Sequence, residues 1–125
     1  MQISRVDHFV LTVRDIARTC DFYRRGLGMD VVEFGQGRKA LAFGQQKINL
    51  HEAGHEIEPK ALKPTPGSGD FCLITDLPLE AVQRHLAAEG IALEDGPVAR
   101  TGAIGPIRSL YLRDPDDNLV EISNY

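Results

Sequence analysis

Residues 6–16, VDHFVLTVRDI, and residues 68–78, SGDFCLITDLP, read as two copies of one module. In each, apolar residues alternate with period two, as in a half-buried strand, and the strand runs into a short amphipathic helix pattern. Phe9, Leu11 and Val13 share one face of the first strand, and His8, Val10 and Thr12 share the other. In the second copy Phe71 and Leu73 oppose Asp70 and Cys72. Matching the opening strands sets His8 opposite Asp70. Matching the closing strands, INLHEA (48–53) and NLVEIS (118–123), sets His51 opposite Glu121. All four positions carry a side chain able to bind a metal.

Working outward from the first strand, Asp15 is placed to cap a helix in which Ile16, Cys20, Tyr23 and Leu27 recur at helical spacing, until Gly26 and Gly28 stop it. Three short strands are expected over 30–34, 38–43 and 47–52, separated by Gly35-Gln36-Gly37 and Gly44-Gln45-Gln46. Segment 53–69, with three prolines and three glycines, reads as a linker between modules. The second copy then repeats the order: strand 70–75, a helix with Pro78 at its first turn and Leu79, Val82 and Leu86 inward, and strands near 92–98, 107–113 and 118–123. GPVARTGAIGP (96–106) reads as a Gly-rich loop bordering a substrate site. The expectation is one domain, residues 1–125, built as module 1–53, linker 54–69 and module 70–125.

Composition narrows the function classes. A net charge of −4 and no Lys/Arg run argue against a nucleic-acid partner. The start lacks a signal-peptide pattern, and no apolar run approaches the ~18 residues that cross a bilayer, so a soluble cytoplasmic protein with no membrane partner is expected. Cys20 and Cys72 form no CxxC pair and read as small buried hydrophobes.

Facing carries the chemistry. Ile48 and Leu50 lie on one side of the fourth strand and His51 on the other. Val120 and Ile122 likewise oppose Glu121. With helices packed on the apolar faces, His8, His51, Asp70 and Glu121 would all turn toward a concavity and could complete a divalent-metal shell. In the Gly-rich segment, Arg100, Thr101 and Gly102 could cradle a substrate carboxylate or the anion of a thiol cofactor.

Three stretches carry a resemblance: VDHFVLTVRD, DFYRRGLGM (21–29) and YLRDPDDNLVEI (111–122), where Asp114-Pro115-Asp116-Asp117-Asn118 makes the turn before the last strand. Over essentially its whole length the chain resembles the vicinal oxygen chelate superfamily, which includes glyoxalase I, extradiol dioxygenases, fosfomycin-resistance proteins and bleomycin-binding proteins. INLHEAG, PGSGDFCLIT and GPVARTGAIGP look closest to its glyoxalase domain-containing subgroup. The resemblance implies an α+β fold in which two βαβββ modules make a cup-shaped, partly closed mixed β-barrel. It implies metal ligands at His8, His51, Asp70 and Glu121. Glyoxalase I usually has a carboxylate or Gln where His51 stands and His where Asp70 stands, so the donor types look exchanged.

The implied activity is that of a glyoxalase I-like lyase or isomerase using Ni, Zn, Co, Mn or Fe(II), with or without a thiol cofactor, on a small substrate with two neighbouring oxygens. Glu121 would shuttle the proton. An Fe(II) extradiol dioxygenase built on His8, His51 and Glu121 is the alternative, and a non-catalytic antibiotic-binding resistance protein is a third reading. Family members of this length commonly form homodimers whose sites are shared between subunits.

Overall fold

The computed structural model describes residues 1–125, in the order βαβββ twice over. They divide into two compact units, Met1–Pro66 and Gly67–Tyr125. Each unit holds one four-stranded mixed sheet, and the fold is α+β. No helix is long and apolar enough to cross a membrane.

In the first unit the strands are β1 (His8–Val13), β2 (Asp30–Phe34), β3 (Arg38–Phe43) and β4 (Gln46–Glu52), in spatial order β1-β4-β3-β2. β1 and β4 run parallel and the other pairs antiparallel. Helix α1 (Ile16–Leu27) supplies the crossover from β1. Asp15 caps it by accepting the amide of Arg18 at 3.0 Å, and Gly28 ends it at φ +67, a left-handed conformation that glycine enters without steric penalty. Its Tyr23 is fully buried, as are Val13, Leu41 and Ile48 of the sheet, so this apolar layer is closed to water. β4 is buried on both faces, through Ile48 and Leu50 on one and Asn49 and His51 on the other.

The second unit repeats this order with β5 (Asp70–Ile74), α2 (Leu79–Ala88), β6 (Leu93–Thr101), β7 (Pro106–Arg113) and β8 (Leu119–Asn124), the strands lying as β5-β8-β7-β6. Leu79, Leu86, Leu110, Leu112 and Val120 form its buried apolar layer. Pro78 is the N-cap of α2 rather than its first residue, and the side-chain oxygen of Asn124 accepts the amide of Leu79 at 3.1 Å.

Two expectations need correcting. The segment Gly96–Thr101 is strand, continuing β6, and only residues 102–105 form a turn. β6 absorbs its irregularity in register shifts between Leu93 and Asp95 and between Asp95 and Val98, so Gly and Pro mark bulges there rather than a loop. The second correction concerns the repeat. In the first unit His8 pairs with Lys47 and Val10 with Asn49; in the second Asp70 pairs with Leu119 and Cys72 with Glu121. If His8 matches Asp70, the counterpart of Glu121 is therefore Asn49, and that of His51 is Ser123. Side-by-side lettering of the closing strands misses this by two residues, because register is fixed by the ladder to the neighbouring strand.

The turn Asp114–Asn118 locks the second unit's functional strands. One oxygen of the buried Asp114 carboxylate accepts the amides of Asp116 and Asn118, at 2.9 and 3.0 Å. The other accepts the side-chain amide of Asn118 at 2.8 Å. The Asn118 side-chain oxygen, Oδ1, accepts the amide of Gly69 at 2.7 Å. The start of β5, with Asp70, is thus clipped to the start of β8, with Glu121.

Candidate functional site

The chemistry of the second unit centres on Glu121. It lies on the strand face shared with Cys72, its partner across the parallel ladder, and with Tyr111, its partner across the β7–β8 hairpin. Its Oε1 accepts a hydrogen bond of 2.6 Å from the Oγ of fully buried Ser109, and Ser123 Oγ lies 3.4 Å from the same oxygen. The two serine hydroxyls are 2.7 Å apart, and the Cys72 thiol is 3.3 Å from Ser123 Oγ. Glu121, Cys72 and Tyr111 line an open cavity of about 360 Å³, together with Arg100, Thr101 and Gly102.

Arg100 donates through Nε to the Tyr111 phenol oxygen at 3.1 Å, and the phenol O–H faces the Glu121 carboxylate. Partial burial pushes the Tyr111 phenol up; Arg100 opposes the shift and the Glu121 carboxylate adds to it. Burial likewise raises the Cys72 thiol, with Ser123 opposing and Glu121 reinforcing, so at neutral pH the sulfur holds its proton. Tyr125 closes one side of the cavity, its hydroxyl accepting the amide of Ile104 at 3.1 Å.

The sequence-predicted residues separate by unit. Asp70 is exposed at the first position of β5, two residues from Cys72 and on the same face. In the first unit, His8 is exposed and its Nδ1 lies 2.8 Å from the Asp7 carboxylate. That hydrogen bond, opposed by slight burial and helped by the charges of His8, Arg5 and Lys47, lowers the Asp7 pKa. An ionised carboxylate only accepts, so His8 donates to it through Nδ1, and a ring carrying its proton there has Nε2 as its acceptor nitrogen. An acid holding a histidine in this tautomer is the arrangement that orients metal-binding imidazoles.

His51 is buried, and its Nδ1 has no hydrogen-bond partner. Burial, then the neighbouring Arg38 guanidinium, lowers its pKa, with Glu56 opposing. Four residues separate His51 from Lys47, the partner of His8, which is about 13 Å along the strand. The two histidines thus share a face but not one locus. Asn49 lies between them, buried, its Oδ1 also without a partner. Neither unit by itself gathers three His, Cys, Asp or Glu side chains around one point.

Sequence reasoning passed over Ser109, Ser123 and Tyr125, and left Tyr111 out of the site because alternation alone does not say which face of its strand it takes. Cys72 is exposed rather than a small core hydrophobe. The hairpin turn at 114–118 carries the signal that finds most of the others, because pairing outward from it sets Tyr111 against Glu121 and Ser109 against Ser123.

The two βαβββ units are those of an α+β fold, and the family is shown directly. The family model for the Glyoxalase/Bleomycin resistance protein/Dioxygenase superfamily matches residues 5–122, and the chain belongs to that superfamily. It is similar to the glyoxalase domain-containing protein RDO1 of Mycosarcoma maydis, with 56% identity over 125 residues, covering all of this chain and 70% of RDO1. It is equally similar to the virulence protein STM3117 of Salmonella typhimurium, at 56% identity and 87% of that protein. The crystal structure of STM3117 superposes with a TM-score of 0.98, over 100% of this chain and 99% of the other. Among more distant structures, TnmS3, an antibiotic binding protein from Streptomyces, has a TM-score of 0.77 at 25% identity, covering 99% of this chain and 98% of TnmS3. A lactoylglutathione lyase from Agrobacterium tumefaciens has a TM-score of 0.76 at 22% identity, covering 98% and 95%, which is a likeness of fold.

Proposed function

We propose that this protein is a divalent-metal-dependent enzyme of the superfamily, a glyoxalase I-like lyase or isomerase that moves a proton between neighbouring carbons of a small oxygenated substrate. The observation that supports this most is the setting of Glu121. A carboxylate with one oxygen anchored by Ser109 at 2.6 Å lines an open cavity beside the Tyr111 phenol and the Cys72 thiol. A general base must be held within hydrogen-bond reach of the proton it takes, and this anchoring fixes its direction.

Arg100 supplies the complementary charge. Its guanidinium can meet an oxygen on which negative charge develops when Glu121 removes the adjacent C–H proton. Within the second unit, Asp70 and Glu121 are the donors that would hold a metal. When bound, such an ion supplies Lewis acidity toward the substrate's paired oxygens. His51 is left out of this set, because the Arg38 cation beside it opposes a second positive charge.

The test follows isomerisation of a 2-oxoaldehyde–thiol adduct with Ni, Co, Mn or Zn added, wild type beside Glu121→Gln. The expected result is turnover in the wild type and a loss of kcat of about 10²–10⁴-fold in the variant, with KM little changed. A second reading, capture of a small molecule without turnover, is supported by the mixed wall of Ile74 and Ile107 beside Arg100, and by the likeness to an antibiotic binding protein. Stoichiometric binding with no turnover under any of these metals would establish that reading instead, and oxygen uptake with a catechol under Fe(II) would replace both by a dioxygenase.

A further inference from the structure

We propose that Cys72 is a nucleophile of this site, so that the protein itself supplies the thiol and converts a 2-oxoaldehyde to a 2-hydroxy acid without a thiol cofactor. The inference rests on the proton-transfer role given to Glu121 above. It is carried by a connected row of hydrogen bonds. The Cys72 thiol can donate to Ser123 Oγ at 3.3 Å, Ser123 to Ser109 Oγ at 2.7 Å, and Ser109 donates to Glu121 Oε1 at 2.6 Å. Every hydroxyl in this row both accepts and donates, so a proton leaving the sulfur has an unbroken path to a carboxylate. A nucleophile linked to a base through oriented hydroxyls is the general arrangement for covalent catalysis.

Access and placement agree with the row. Cys72 is exposed and lines the cavity, whereas Ser109 and Ser123 are fully buried and cannot be displaced by solvent. Cys72 and Glu121 are direct partners across the parallel ladder, so a carbon bonded to the sulfur would lie beside the carboxylate.

The chemistry balances without an external oxidant or reductant. Cys72 Sγ forms a bond to the aldehyde carbon as its proton passes along the row to Glu121; the carbonyl π bond opens, and Glu121 hands that proton to the aldehyde oxygen, giving a hemithioacetal and a carboxylate again. Glu121 then takes the hydrogen from that carbon as a proton, while the ketone oxygen gains a proton from water to give an enediol. Return of the proton to the former ketone carbon, with loss of the proton from the other hydroxyl, leaves a thioester on Cys72. One carbon has been oxidised and its neighbour reduced to the same extent. Water adds to the thioester carbonyl, the carbon–sulfur bond breaks, and the sulfur regains a proton as the 2-hydroxy acid leaves.

The experiment incubates the full chain with methylglyoxal in thiol-free buffer, measures 2-hydroxy acid by NMR, and records intact mass after rapid acid quench. The wild type is expected to form the acid and to carry a mass gain of one methylglyoxal, mapped to Cys72 by peptide analysis. Cys72→Ala and Cys72→Ser are expected to lose at least about tenfold in thiol-free turnover and to carry no mass gain. Cys20→Ala is expected to behave as wild type, since Cys20 is buried in α1. Isomerisation of the external adduct with no thiol-free product would overturn the Cys72 inference and leave the role of Glu121 standing. Thiol-free turnover that survives in both Cys72 variants would also overturn it. Failure of both reactions in the wild type would remove the glyoxalase-like reading itself.

Discussion

Replacing Asn118 with Ala tests whether the polar turn before the last strand holds the functional strands together. Asn118 is 1% exposed, and its side chain makes two hydrogen bonds that Ala cannot: it donates to Asp114 Oδ2 at 2.8 Å and accepts from the Gly69 amide at 2.7 Å. The first involves a buried carboxylate, and losing such a bond costs about 1.5–3 kcal/mol. The second joins neutral groups and contributes about 1 kcal/mol. Together they predict a loss of about 2.5–4 kcal/mol, a large share of the ~5–15 kcal/mol by which domains are stable. For a chain of this size the midpoint of thermal unfolding should fall by roughly 10–15 °C. Urea unfolding followed by circular dichroism gives the free energy directly, provided the slope with denaturant is unchanged. Asn118→Asp should cost at least as much at neutral pH, because it sets a second carboxylate against Asp114, and should recover on mild acidification. A loss below about 1 kcal/mol with an unchanged slope would refute the reasoning, since it would mean that Gly69 and Asp114 are satisfied equally well without the clip.

Gly96 and His51 give two further tests. A Cβ added at Gly96 would lie 2.4 Å from the Ser109 carbonyl oxygen and 2.9 Å from Leu110 Cα, at φ +102, so Gly96→Ala should destabilise by about 3 kcal/mol or more. Because Ser109 anchors Glu121, its kcat should fall as well; a variant with wild-type urea midpoint and kcat would disprove that contact. For His51, burial lowers the folded-state pKa below the ordinary imidazole value near 6.5. The unfolded state then binds the proton more readily, so the His51 contribution is fully present above about pH 6.5 and is lost as pH falls toward and past the folded value. His51→Gln should flatten the stability profile below about pH 6.5, measured by denaturant midpoints at successive pH values; a slope identical to wild type would remove His51 as its source.

The fold was legible because its signals are local and repeated. Asp15 and Gly28 mark the two ends of α1 by well-defined chemistry, a side chain accepting an amide and a residue free to take positive φ. The alternation in residues 8–13 sorts core from opposite face without reference to any partner. β6 was misread for the converse reason. Gly96, Pro97 and Gly102 are the residues of a loop by composition, but here glycine is required by close approach: the backbone of Ser109 stands where a side chain at Gly96 would go. That requirement belongs to the neighbouring strand, and nothing in residues 96–102 announces it.

The site was legible to the same depth and failed at the same boundary. Glu121 was found because its motif fixes a turn, and the turn's own hydrogen bonds set the strand that carries it. His51 was matched to Glu121 because both are metal-binding types near the ends of similar strings, whereas parallel pairing makes Asn49 the equivalent residue. This difference bears on chemistry. At the position where the second unit has an ionisable base beside two serines, the first has a neutral amide whose carbonyl oxygen is buried without a partner. A neutral amide cannot accept a proton from carbon at any accessible pH, so of this repeat-related pair only Glu121 can serve as the base. The duplicated fold therefore carries non-equivalent chemistry in its two halves, and the serine, cysteine and tyrosine side chains that distinguish the second half surround the one carboxylate able to use them.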